Sequence, residues 1–75
     1  MNISGPKIRL ARKQKSWDQT RLAFVLEESY NVLLSQSDIS EIERGKRGVK
    51  DYELLAFAMA LEVQVGWLLN LTNDD

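Results

Sequence analysis

The sequence predicts an all-α fold of five helices, and three observations carry that prediction. Apolar residues recur at helical spacing: Leu22, Ala23 and Leu26, then Ile39 and Ile42, then Leu54, Leu55, Ala58 and Leu61. Residues that cap helices stand just before these runs, namely Asp18, Ser35 and Asp51. No segment reads as a convincing strand.

Residues 1–5 read as a flexible arm. Pro6 suits the first turn of a helix, where its missing N–H costs nothing, and helix one runs from there to about Lys15. It turns Ile8, Ala11 and Leu10 inward and carries Lys7, Arg9, Arg12, Lys13 and Lys15 on its polar side. The second helix starts near Asp18, or two residues earlier if Ser16 and Gln19 form a capping box. Its buried stripe is Leu22, Ala23, Leu26 and Tyr30, and Glu27 and Glu28 face solvent. Residues 29–34 make a connection longer than the three- or four-residue joint of a tight helix-turn-helix. Within it Asn31 suits a positive-φ turn, and Val32 and Leu34 fold back onto the core.

Helix three opens at Ser35, with Asp38 completing a capping box, and closes at Gly45. Helix four runs from about Asp51 to Leu61 and buries Leu54, Leu55, Ala58 and Leu61. Val65 to Leu69 forms a short fifth helix that lays Trp67 and Leu68 on the bundle. Residues 72–75 read as a disordered tail.

Composition bounds the function. Seventy-five residues make one domain, and a chain of that size buries only about 60% of its unfolded surface. The absence of Cys removes disulfides and thiolate sites, and the absence of His removes zinc chemistry and His-based catalysis. No cofactor is implied. No apolar run approaches the roughly 20 residues that cross a bilayer. The N-terminus lacks the apolar core of a signal peptide, so a cytoplasmic protein with no membrane role is expected. Net charge is −1, but it is unevenly placed. Residues 1–50 hold all ten basic residues and six acids, a balance of +4; residues 51–75 hold five acids and no base, a balance of −5. A domain polarised in this way can present a basic face to a polyanion.

The segment 35–45 is the most informative. Ile39 and Ile42 anchor one face, Gln36, Ser37 and Ser40 occupy the other, and Arg44, Lys46, Arg47 and Lys50 follow. A short polar helix with a basic skirt is how small proteins read base edges while gripping phosphates.

Four pieces of the chain, in order, resemble the Cro/cI-type (XRE) helix-turn-helix family of bacterial and phage regulators. They are Ile8-Arg9 with Arg12, then Asp18-Gln19 with Leu22-Ala23, then Ser35 to Gly45 with its Ile42-Glu43-Arg44-Gly45 ending, and finally Leu61-Glu62-Val63 with Trp67-Leu68-Leu69. The resemblance covers roughly Gly5 to Asn70 and implies a lambda-repressor-like bundle over residues 6–71, with helices two and three as the helix-turn-helix. The link between those helices matches the family's long-linker variant. Glu62 replaces a usual Gly, and Lys50 stands where a Thr or Ser cap is common, which leaves Asp51 as the cap.

The resemblance implies site roles as well. Gln19 opens helix two at a position where the family bonds a DNA phosphate, in keeping with the attraction of helix N-termini for anions. Gln36, Ser37 and Ser40 are base readers, since Gln can bond adenine N6 and N7 together. Asp38 is assigned to capping, and Glu41 is either a cytosine reader or a negative filter. Arg44, Lys46, Arg47 and Lys50 are phosphate contacts, Lys46 and Arg47 foremost. Arg12 and Glu43 match the family's partly buried ion pair between helices one and three, a structural role, while Ile39, Ile42, Trp17 and Trp67 belong to the core. The function implied is a sequence-specific regulator of double-stranded DNA, a repressor acting as a homodimer on a two-fold operator, with no small-molecule substrate. A protein-interaction module that keeps the fold without binding DNA is the alternative; the acidic pI of about 5.4, Asp38 and Glu41 favour it. An enzyme fails on inventory, since the acids sit at caps or on solvent faces.

Overall fold

The computed structural model describes residues 3–71. Among these residues five helices follow one another, α1 (Gly5–Gln14), α2 (Gln19–Tyr30), α3 (Gln36–Glu43), α4 (Asp51–Leu61) and α5 (Val65–Leu68), with no strand. α1 and α2 each pack against both α3 and α4, and α5 closes the bundle on α4. Ile8, Leu22, Leu26, Ile39, Ile42, Phe57 and Leu68 are fully buried where these helices meet. Among the described residues no helix is long and apolar enough to cross a membrane.

The helices start where their caps dictate. Asp18 accepts from Arg21 N–H at 2.7 Å and opens α2. Ser35 Oγ accepts from Asp38 N–H at 3.0 Å while Asp38 Oδ2 accepts from Ser35 N–H at 2.9 Å, the reciprocal pair that satisfies two donors at the start of α3. These bonds, the backbone N–H of Ser35 first, hold the Asp38 carboxyl below the usual carboxylate range. At α4 the cap residue is Lys50, not Asp51, which lies one residue inside. A lysine side chain has no acceptor to offer. The interaction is supplied from the other direction, by Glu53 Oε1 accepting from Lys50 N–H at 2.9 Å.

The helix ends share one device. Ser16, Asn31, Gly45, Glu62 and Asn70, one after each helix in turn, have φ near +60° to +74° (61, 58, 74, 60 and 62°). The N–H that follows each reaches back into the last turn: Trp17 to Arg12 O, Val32 to Leu26 O, Lys46 to Glu41 O, Val63 to Ala58 O and Leu71 to Gly66 O, at 2.8–3.2 Å. Ser16 therefore closes α1 and does not open α2. Asn31 and Gly45 behave as their types predict, whereas Glu62 occupies a conformation that costs an ordinary L-residue about 1–2 kcal/mol.

Several expectations are corrected. Ser4 and Gly5 are not part of a loose arm: Ser4 is the buried N-cap of α1, and Gly5 is its buried first residue. A Cβ on Gly5 would lie 2.3 Å from the backbone O of Ile42, so the start of α1 can approach the end of α3 only as glycine. The remainder of the expected arm, Met1 and Asn2, and the expected tail over 72–75 lie outside the described residues. Leu10 and Leu55 are about half exposed (49% and 54%), and Leu54 is only half-buried. α4 instead buries Phe57 with Ala56, Ala58, Ala60 and Leu61. Its apolar residues encircle the helix, so periodicity does not single out a face, and packing against α2 selects the one bearing Phe57. Trp17 and Trp67 lie half-buried against the edge of the core.

Gly5→Ala should destabilise the fold by about 1–3 kcal/mol, because the added methyl meets backbone that cannot move aside. Gly48→Ala, where a Cβ meets nothing within 4 Å, should stay within about 0.5 kcal/mol of the parent. Urea unfolding midpoints of the two variants, measured side by side, check the contrast.

Candidate nucleic-acid interface

The site is assembled from a buried ion pair outward. Arg12, near the end of α1, and Glu43, the last residue of α3, are both 6% exposed. Arg12 Nε donates to Glu43 Oε2 at 2.7 Å and Nη2 donates to Oε1 at 2.9 Å, a two-pronged contact. Nη1 donates to the carbonyl O of Trp17 at 2.7 Å. The hydrogen bond to Glu43 raises the Arg12 pKa above its ordinary value. The contact ties the end of α3 to α1.

Two glutamines extend this pair to the surface. Gln19, the first residue of α2, donates from Nε2 to Glu43 Oε1 at 3.1 Å. Gln36, the first residue of α3, donates from Nε2 to Gln19 Oε1 at 2.6 Å. A continuous chain of hydrogen bonds thus runs from α1 through the end of α3 and the start of α2 to the start of α3. The N-termini of α2 and α3 are brought to one edge of the molecule by it. The sequence reading places Gln19 toward phosphate and misses its inward bond to Glu43.

The outer face of α3 follows from its anchors. With Ile39, Ile42 and Glu43 buried, the 100° step of a helix places Gln36, Ser37, Ser40, Glu41 and Arg44 together on the opposite arc. Gln36, Ser37 and Glu41 are exposed and Ser40 is half-buried. At eight residues α3 is about 12 Å long, and the roughly 10–12 Å diameter of a helix is what the roughly 12 Å width of a major groove admits.

The basic residues after α3 divide into two groups. Arg44, Lys46 and Lys50 are exposed, with Arg44 Nε donating to Ser40 O at 3.3 Å. Arg47 does not stand out as a clamp. Its Nη1 and Nη2 donate to Glu53 Oε1 and Oε2 at 3.0 and 3.1 Å, and Nη1 also donates to Gly48 O at 2.9 Å. Glu53 is 2% exposed. Burial pushes its carboxyl up, but the Arg47 bonds and the Lys50 N–H outweigh burial and hold it below the usual carboxylate range. Glu53 went unnoticed in the sequence; the available signal was a glutamate three residues beyond Lys50, the second half of a capping box.

The chain belongs to the XRE-type helix-turn-helix family: the sequence model of this helix-turn-helix family matches residues 8–68. That family is one of DNA-binding regulatory domains and not of enzymes. Comparison with curated proteins and with solved structures returned no significant match.

Arg12→Ala should cost about 3–5 kcal/mol, since it leaves the Glu43 carboxylate buried without its partner. An Arg12→Met/Glu43→Leu double variant should lose much less, which thermal and urea unfolding of both will show. Acid should also destabilise the domain in a defined direction. The folded pKa of Glu53 lies below its unfolded value, so its contribution is present above the ordinary carboxylate range and lost as pH falls through the folded pKa. Unfolding midpoints measured from neutral pH down to about pH 3 should fall, and less steeply in Glu53→Gln than in the parent.

Proposed function

We propose that this chain is a sequence-specific regulator of double-stranded DNA that inserts α3 into the major groove and acts as a repressor, as a homodimer on a two-fold operator. One observation carries the reading: the hydrogen-bond chain Arg12–Glu43–Gln19–Gln36, which presents the first turns of α2 and α3 along a single edge. The spare hydrogen-bonding capacity of that chain is what a base and a phosphate require. Gln36 spends one amide hydrogen on Gln19; its second amide hydrogen and its Oε1 match adenine N7 and N6. Gln19 spends one amide hydrogen on Glu43, and its second lies at a helix N-terminus, where a phosphate oxygen is favoured. Ser37 and Ser40 extend the base-reading face, and Glu41 reads a cytosine amino group or repels other bases. Arg44, Lys46 and Lys50 grip phosphates on one side of the groove, and Arg47, anchored on Glu53, braces the loop that carries them. Two copies would set their α3 helices about 34 Å apart on a two-fold site.

The test is selection from a random-sequence duplex pool at low and near-physiological salt. A two-fold enriched motif is expected, with affinity that falls as salt rises. Lys46→Glu is the better phosphate control, because reversing Arg47 would strand buried Glu53 and unfold the loop. Removing Lys46 should weaken binding to all sequences alike and reduce the salt slope by about one counterion. Gln36→Ala should relax preference at one base pair at a cost of about 1–3 kcal/mol. No enrichment and no salt-dependent binding at either salt would sink the DNA reading and leave the interaction module.

A further inference from the structure

Each link of the hydrogen-bond chain from Glu43 to Gln36 has a direction, and the buried end dictates it. The Glu43 side chain is 2% exposed, and its two oxygens take hydrogen bonds from Arg12 at 2.7 and 2.9 Å. Held in that two-pronged contact, the carboxylate offers Gln19 acceptors and no donor. Gln19 therefore turns Nε2 to Glu43 Oε1, at 3.1 Å, and its own Oε1 is left facing Gln36. Gln36 must answer with Nε2, at 2.6 Å. Neither glutamine side chain has another hydrogen-bond partner among the described residues, so Glu43 alone fixes which end of each amide is nitrogen.

The other orientations set like against like. With the Gln36 amide reversed, its Oε1 would face Gln19 Oε1 across the same 2.6 Å, two acceptors with no hydrogen between them. Reversing both glutamines moves the conflict inward, to Gln19 Oε1 against Glu43 Oε1. Either way a hydrogen bond is lost and an acceptor is left facing an acceptor. The relay thus carries the donor and acceptor order of a buried pair through half-buried Gln19 to exposed Gln36, the first residue of α3.

That order decides what the outer end of the chain can bond. One amide hydrogen of Gln36 is held by Gln19, so the atoms left for a base are Oε1 and one N–H. In the major groove adenine presents one donor, at N6, and one acceptor, N7, whereas guanine presents two acceptors, N7 and O6. A glutamine bonds both guanine acceptors only by turning both amide hydrogens to them, and here one is taken. We propose that Glu43 is a positioning residue for base specificity: through Gln19 it fixes the polarity of the Gln36 amide, so that adenine is accepted and guanine rejected at the base pair Gln36 meets. This role rests on α3 being the helix that enters the major groove. Glu43 touches no base itself, and its effect reaches the DNA only through the two glutamines.

The experiment measures dissociation constants on duplexes of the selected site that differ only at the pair read by Gln36, which is the pair whose preference Gln36→Ala loses. That pair is made A·T, G·C or hypoxanthine·C; hypoxanthine has the N7 and O6 of guanine without its minor-groove amino group. Gln19→Met breaks the relay in the middle. Arg12→Met/Glu43→Gln replaces its buried end by an amide that can donate to Gln19 as well as accept; circular dichroism and urea unfolding show that each variant is folded. The parent should favour adenine over guanine and hypoxanthine by at least about tenfold. In Gln19→Met that preference should shrink to about threefold or less at this pair alone, beside a uniform loss from the missing phosphate contact. The folded double variant should lose the preference too, because both polarities of the chain are then allowed. A merely loosened fold weakens every duplex alike and leaves the base ratio unchanged, which separates positioning from a structural role. Three results would overturn the proposal: a base other than adenine preferred there by the parent, an adenine preference that Gln19→Met leaves intact, or one that survives in the folded double variant. The last would place the lock in Gln19 without Glu43. A site enriched from the random pool with an unchanged ratio in the variants sinks the relay and spares the DNA reading; no enriched site at all sinks both.

Discussion

The buried ion pair between Arg12 and Glu43 is the interaction on which the arrangement of this molecule depends. Taking two charges out of water costs several kcal/mol for each ion, and simple attraction does not restore it unless the geometry is good and the remaining polar atoms are satisfied. Here both conditions are met. The guanidinium fork meets both carboxylate oxygens, its remaining prong reaches the Trp17 carbonyl, and Gln19 supplies the carboxylate with a further donor. Among the described residues no buried side-chain nitrogen or oxygen lacks a partner. The pair contributes orientation more than net stability. Glu43 must face α1, so α3 cannot rotate about its axis, and Gln36 and Ser37 must face out. Gly5 serves the same junction, since its missing Cβ lets α1 come against the Ile42 carbonyl one residue before Glu43.

The Arg47–Glu53 pair applies the same logic to the loop between α3 and α4. Glu53 accepts from both prongs of Arg47 and from the Lys50 N–H. The loop is thereby tied to the first turn of α4 at two points. The exposed cations Lys46 and Lys50 are held by that tie at a set distance from the α3 face, and less of their ordering remains to be done when an anion arrives. A basic loop that looks in sequence like one undifferentiated cluster is, in structure, one structural arginine and a set of exposed cations around it.

What was legible in the sequence is what short-range chemistry determines. Ser35 with Asp38, Asp18 before α2, Asn31 and Gly45 each declare a local conformation by residue type, and each does in the structure what its type requires. The inward residues Ile8, Leu22, Leu26, Ile39 and Ile42 were legible too, because polar residues flank them at the helical period. α4 was not, because its apolar residues point in all directions and only the shape of its neighbours decides between Leu55 and Phe57. Ser16 and Glu62 show no type preference for positive φ, and geometry imposes it on them. At the site, the partners of Arg12 and Arg47 lie at sequence separations of 31 and 6, and nothing local says which acid a base will meet. The first pair was reached through family resemblance alone, and the second was missed. Gln19 shows the limit most clearly, since one side chain bonds inward to Glu43 and still carries a donor for the outer edge.

The net charge of −1 is a poor guide to what this surface meets, and the reason is distance. The molecule measures 30 × 23 × 21 Å, and the Debye length is about 10 Å at 0.1 M salt. A phosphate at the Gln19–Gln36 edge therefore interacts with Arg44, Lys46 and Lys50 at close range. It is largely screened from exposed Glu27 and Glu28, about 12 Å or more along α2 from Gln19. The screening fails as salt is withdrawn, since at 0.01 M the Debye length reaches about 30 Å and spans the whole molecule. Under those conditions the acidic face opposes the attraction of the basic edge, and affinity for a polyanion should rise less steeply than the count of contacting cations implies.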